Sequence, residues 1–182
     1  MARCDWATSE ILIDYHDNEW GKFTLDDLIH FEHLCLSGFQ AGLSWEIVLK
    51  KRDDLRKIFS SFNPEVIVRY SNKKINHIQN NKKGIRNKQK IESVVNNAKV
   101  FSAIKSHYGS FSKYAFNFLG NEVITNHYKS WKETPSFNEA SQELSRLMKK
   151  HGFTFFGPTI AYAYLQSVGF INDHITTCFK KL

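Results

Sequence analysis

Leu147-Met-Lys-Lys-His-Gly152-Phe-Thr-Phe-Phe-Gly157-Pro-Thr-Ile160 is the first specific signal in the sequence. Lys149 and Lys150 fall in the last turn of a helix, where cations suit the negative end of its dipole, and Gly152 stands where a C′ glycine belongs. Gly157 and Pro158 then open a second helix through Ile160, Ala161, Tyr164, Leu165 and Val168, which Gly169 closes. Proline at the first helical position forfeits no hydrogen bond. Two short helices joined by a Gly-x4-Gly link form a helix-hairpin-helix pattern over about residues 144–169. Its use is to aim backbone N–H groups around Gly152, Gly157 and Thr159 at a DNA phosphate, whatever the base sequence. The same glycines also suit an ordinary αα-hairpin with close packing. On this segment alone both readings stand.

Upstream, the apolar period is helical almost throughout. Thr24 with Asp27 reads as a capping box ahead of Leu28, Phe31 and Cys35. Ser44 caps a helix carrying Trp45, Val48, Leu49, Leu55 and Ile58, and Asn63-Pro64 starts a short one through Val66, Ile67 and Tyr70. Ile75 and Ile78 mark another short segment. Asn87 caps a long helix with a stripe from Ile91 to Ile104, and Phe111 to Leu119 ends at Gly120. Residues 121–135 read as a connection, after which Ser136 and Glu139 read as a second capping box. No six residues alternate with period two, so the expected class is all-α. No Gly/Ser- or Pro-rich linker divides the chain, so a single domain is expected over 1–182.

Composition narrows the partner. The chain has 25 Lys and Arg against 18 Asp and Glu, a formal charge of +7, and this balance favours a polyanion. The lysines and arginines from Lys73 to Lys90 read as a solvated face ahead of the alternative, a dedicated phosphate-binding site. Aromatic residues make up 14%, more than a core of this size requires, so some rings should line a pocket. No apolar run nears the ~20 residues that span a bilayer, and the first twenty residues carry five acids and no apolar core of a leader. Cys4, Cys35 and Cys178 cannot all pair, which suits a reduced, intracellular protein.

Cys4 and His16 at one end, and His174 and Cys178 at the other, make a Cys2His2 set suited to tetrahedral zinc. The His-x3-Cys spacing suggests two ligands on one helical face. A metal held by all four would clip the chain ends together and have no open position, so its role would be structural. Taken singly, each of these residues also fits a core or surface position.

Tyr15-His-Asp-Asn-Glu-Trp-Gly21, Cys35-Leu-Ser-Gly-Phe-Gln-Ala-Gly-Leu-Ser-Trp45, Arg3-Cys4-x-Trp6 and Val168-Gly-Phe-Ile-Asn-Asp-His174, taken with the hairpin, resemble the DNA-3-methyladenine glycosylase I family. The resemblance runs from residue 3 to 178 and includes all four zinc positions. It implies a helix-hairpin-helix glycosylase fold with structural Zn2+, acting on double-stranded DNA with alkylated adenine. The implied reaction is excision of 3-methyladenine, the first step of base excision repair. Tyr15 and Trp45 match pocket aromatics, with Trp6 and Trp20 nearby, and the Gly42-Leu43 turn matches the part that fills the gap in the duplex. The family also implies a bacterial, cytoplasmic, nucleoid-associated protein and a monomer without a membrane partner.

One departure stands out. The family carries a pocket glutamate where this chain has Ser37, and commonly a glutamine where it has Phe39. No catalytic residue is assigned, and Asp173 is not read as a base because Asn172 takes the position where relatives in the superfamily carry an aspartate. Glu46 and Glu19 are candidates for a replacement carboxylate. Three outcomes follow: an active glycosylase with altered recognition, a lesion- or DNA-binding homologue without useful turnover, and a zinc-stabilised helical protein without a DNA function.

Overall fold

Helix α2 (Asp27–Gln40) runs through the middle of the protein, with Phe31, Leu34, Leu36 and Phe39 buried along it. In a computed structural model that describes residues 2–181, it packs against α3 (Trp45–Ile58), α6 (Lys88–Tyr108), α7 (Phe111–Phe118) and α9 (Pro158–Ser167). The first and last positions of the expected 1–182 domain lie outside the described residues. Helices α4 (Pro64–Ile67) and α5 (Asn72–Gln79) cover α6, and α8 (Glu139–His151) packs on α9. The apolar stripes at helical spacing therefore meet in one core.

Most caps follow the sequence. Ser44, Asn63 and Asn87 each accept a backbone N–H from the first turn of their helix. Two boxes are shifted. Asp26, not Thr24, caps α2, and the Thr24 hydroxyl instead accepts the Asp26 N–H, a local turn that presents the cap. Asn138 with Ser141, not Ser136 with Glu139, forms the box at α8. Helix α1 (Glu10–Asn18) was not expected, because it buries only Tyr15 and His16 and its polar residues hide the period.

The all-α expectation holds apart from one small feature. Within the connection, β1 (Ile124–Thr125) pairs in parallel with β2 (Ile171–Asn172), Ile124 opposite Ile171. Two residues are too few to show an alternation. The pairing ties the connection to the chain just beyond α9 and places the 3-10 turn Trp131–Glu133 against the N-terminal segment.

A second, smaller core forms where the ends meet, from Cys4, Tyr15, Trp20, Leu49, Ile175 and Cys178. Trp45 packs against both cores. Among the described residues no helix is long and apolar enough to cross a membrane.

Candidate active site

Between the two cores lies a cavity of about 260 Å3. That is slightly below the ~300–1,000 Å3 of ordinary small-molecule pockets and is the scale of one heterocyclic base. Its walls come from four places. Trp6, Leu12, Tyr15 and Trp20 form the N-terminal wall, while Ser37, Gln40, Ser44, Trp45 and Glu46 come from the ends of α2 and α3. Ala163 and Gln166 come from one face of α9, and Trp131 from the connection. All four tryptophans of the chain therefore line it.

The rings meet edge-on or tilted. Trp6 and Trp20 meet at 5.1 Å and 79°, Trp20 and Trp131 at 5.8 Å and 73°, and Tyr15 and Trp45 at 5.3 Å and 57°. Such contacts contribute ~0.5–1.5 kcal/mol each beyond burial. The indole N–H groups of Trp6 and Trp45 are sealed without a protein acceptor, so these rings are held in place at a cost in hydrogen bonding. Burial pushes the Tyr15 phenol well above its ordinary pKa, so it stays a neutral hydroxyl.

The expected pocket residues Tyr15, Trp45, Ser37, Trp6 and Trp20 are thus brought together. Trp131 was missed, because nothing near it in sequence announces that it meets Trp6. Phe39 is a core residue whose ring lies tilted against Phe59 at 5.6 Å, and the neighbouring Gln40 lines the cavity instead. Of the two replacement carboxylates, Glu46 lines the cavity but is paired with Lys50 at 2.8 Å.

Glu19 is not a lining residue. It binds Arg52 through two N–H groups at 2.6 Å and His33 at 2.8 Å, while Arg52 also reaches Glu32. This ladder fixes the end of α1, and with it Tyr15, against α2 and α3. Burial alone would raise the Glu19 pKa, but the bonds from His33 and Arg52 outweigh it and hold the group at about 2. A carboxyl depressed from 4.5 to about 2 stabilises the fold above about pH 4.5, and that contribution is lost as the pH falls toward about 2. Over that acid range the stability difference between wild type and Glu19→Gln should therefore shrink, as read by thermal melts. A difference independent of pH would show that the ladder carries no charge-dependent stability.

Cys4, His16, His174 and Cys178 are all buried, and their ligand atoms lie within 4.8 Å of one another. Cys178 Sγ is 3.4 Å from His16 Nε2 and 3.5 Å from His174 Nδ1, and Cys4 Sγ is 3.6 Å from His174 Nδ1. A tetrahedron with metal–sulfur bonds of ~2.3 Å and metal–nitrogen bonds of ~2.05 Å has S···N edges of about 3.5 Å. The cluster therefore fits a tetrahedral metal. His174 and Cys178 meet through a turn rather than on the helical face that their spacing suggested, with the Cys178 N–H bonded to the Ile175 carbonyl at 2.9 Å. Burial pushes the Cys4 thiol up to about 12 and the His174 imidazole down to about 4, so without a cation the neutral forms are favoured. Binding a dication would release thiol protons.

Supports surround this cluster. The other ring nitrogen of His16 meets Asp17 at 2.8 Å, and Arg3 grips Asp17 with bonds of 2.8–2.9 Å. Arg3 is the leading reason that the Asp17 carboxyl sits at about 2, and His16 adds to it. This carboxylate–histidine arrangement sets the ring's tautomer. At Gly21, with φ +74°, a methyl group would come within 2.8 Å of His174 Nε2, so only glycine lets the loop close over that ring. Trp20 lies edge-on to His174 at 4.6 Å and joins the cluster to the cavity wall.

The turns singled out in the sequence lie at the ends of α2 and α8 and the start of α9. Lys90 is buried rather than solvated as expected; its ammonium donates to the carbonyl of Phe39 at 2.8 Å and to that of Ala41. It thus holds the end of α2 just before Gly42, where φ is +74°, and Leu43, whose side chain is exposed. In the hairpin, Gly152 adopts the left-handed cap of α8 and Gly157 caps α9 without a side chain, leaving the first N–H groups near the exposed Thr159 open to an anion.

The model of the methyladenine glycosylase family matches residues 6–181. A DNA-3-methyladenine glycosylase of Haemophilus influenzae is 40% identical over 177 residues, covering 97% of this chain and 96% of the relative. DNA-3-methyladenine glycosylase 1 of Escherichia coli is 35% identical over 179 residues, covering 98% and 96%. A crystal structure of 3-methyladenine DNA glycosylase I superposes with a TM-score of 0.96 at 37% identity over 100% of both chains. With nearly its full length matched in sequence and in fold, the chain belongs to the methyladenine glycosylase family.

Proposed function

We propose that the chain works as a DNA-3-methyladenine glycosylase, flipping an N3-alkylated adenine out of duplex DNA and hydrolysing its N-glycosidic bond in base excision repair. The cavity walled by four tryptophans and Tyr15 carries this reading. Alkylation at N3 makes the purine cationic, and an aromatic cage attracts a cation by ~0.5–2 kcal/mol per contact while gaining nothing comparable from neutral adenine. Hydrolysis breaks the bond between the sugar C1′ and the base. The electron pair leaves on the base and neutralises it, water oxygen bonds to C1′, and a water proton is released. A cationic base leaves readily, so less acid–base help is needed than for a neutral one. Asp173 fits no base role, since three donors already occupy its carboxylate.

The Gly42-Leu43 turn would fill the gap left by the flipped base, and the hairpin around Gly152, Gly157 and Thr159 would hold a backbone phosphate of double-stranded DNA. Cys4, His16, His174 and Cys178 would hold Zn2+, which bound there supplies a crosslink between the chain ends and no open coordination position. The reading places a monomer in the bacterial cytoplasm, at the nucleoid.

Incubation with methylated duplex DNA should release free 3-methyladenine, detected by chromatography. Affinity for the duplex should fall steeply and log-linearly with salt, as expected when several phosphates are neutralised. No release with salt-dependent binding retained would mark a DNA-binding homologue instead. Loss of both would leave a helical protein without a DNA function.

A further inference from the structure

The amide of Gln166 is oriented by what lies behind it. Gln166 is 5% exposed, lines the cavity from α9, and donates its side-chain N–H to Asp173 Oδ2 at 2.6 Å. Asp173 is fully buried and also receives the Tyr162 hydroxyl on Oδ2 and the Asn126 amide at 2.7 Å on Oδ1. A carboxylate ringed by donors can only accept, so it fixes which end of the Gln166 amide faces it. The amide oxygen is left over. It has no protein donor among the described residues, yet it is not one of the sealed unpartnered polar atoms. A polar group that is neither satisfied by protein nor closed off, on a residue that lines the cavity, is open to whatever enters.

We propose that the Gln166 side-chain oxygen, held by Asp173, accepts a hydrogen bond from the exocyclic amino group of the flipped base and so selects 6-amino over 6-oxo purines. The inference rests on the reading of the cavity as a methyladenine pocket. Ser37 supplies no carboxylate here, and Glu46 is already paired with Lys50, so a fixed neutral acceptor is what the walls offer to an N–H donor. A 6-oxo purine presents a second acceptor at that place, and two facing oxygens are left unpaired in a partly dry site.

The test uses free 3-methyladenine and 3-methylhypoxanthine as probes, with binding read by tryptophan fluorescence because every tryptophan lines the cavity. Wild type should bind 3-methyladenine at least about tenfold more tightly. Gln166→Leu and the unbranched Gln166→Met should each cut that preference below about threefold, mainly by weakening 3-methyladenine, with folding checked by thermal melts. A purely structural role would change the melt and leave the ratio intact. A wild-type ratio near one, or a folded variant that keeps the wild-type ratio, overturns the proposal. If wild type shows the Gln166-dependent ratio but releases no base from methylated DNA, the glycosylase reading fails while the recognition role stands. If release is normal and the ratio ignores Gln166, only this inference fails.

Discussion

Cys4→Ala and His174→Ala should each lower the thermal midpoint by about 10 °C or more, while molecules still folded at low temperature excise at close to the wild-type rate. Both residues are buried in the cluster whose S···N spacings of 3.4–3.6 Å match a tetrahedral metal. Removing one ligand from a structural site loses metal affinity that is also folding free energy. A loss of ~3–5 kcal/mol in a chain of this size corresponds to roughly 10–15 °C. Elemental analysis should find about one zinc per wild-type chain and much less in either variant, and a chelator should reproduce the effect in wild type. A metal-free variant with an undiminished midpoint would remove the cluster from any account of the fold. A selective loss of turnover at full stability would give it a chemical role that its closed geometry does not suggest.

Ser37→Glu is expected to increase recognition of 3-methyladenine in DNA by about tenfold. Ser37 lies on α2, is 2% exposed and lines the cavity that Tyr15 and Trp45 also line. A carboxylate there would face a cationic base and accept its N–H groups, and hydrogen bonds to charged groups are about twice as strong as neutral ones. A gain of ~1.4 kcal/mol is a factor of ten. The new carboxyl would itself be desolvated and inclined to protonate in the empty pocket, so the gain should be larger at pH 8 than at pH 5, roughly following its ionisation. The measurement is single-turnover release of 3-methyladenine from methylated duplex at both pH values. Equal or slower release would mean that the walls have been rebuilt around serine, with acceptors such as Gln166 doing the recognition.

The fold was legible where polar caps stand directly before apolar stripes, as at Ser44, Asn63 and Asn87. It was less so where two polar residues compete. Thr24 and Asp26 both make local bonds at the start of α2, and only the helix direction decides which is the cap. At the site, local motifs pointed to Tyr15, Trp45 and the four cysteines and histidines. The long-range partners were silent: Trp131 reaches the cage through a two-residue parallel pairing, and Gln166 gains its meaning only from the buried carboxylate of Asp173. Lys90 looked like one more surface lysine in a basic run. Its two carbonyl contacts exist only once α6 has packed beside the end of α2. Arg3 and Asp17 carried a weak hint, since each sits next to a cluster residue in the sequence.

The meeting of Cys4 and His16 with His174 and Cys178 sets an order on biosynthesis. A nascent chain can assemble its helical interior while still growing, and can seat Tyr15 through the Glu19–Arg52–His33 ladder, but the cluster that holds Cys4 and His16 is incomplete until His174 and Cys178 have left the ribosome. Removing the stretch that carries His174 and Cys178 should therefore unseat Cys4 and His16, more than a hundred and fifty positions away in sequence.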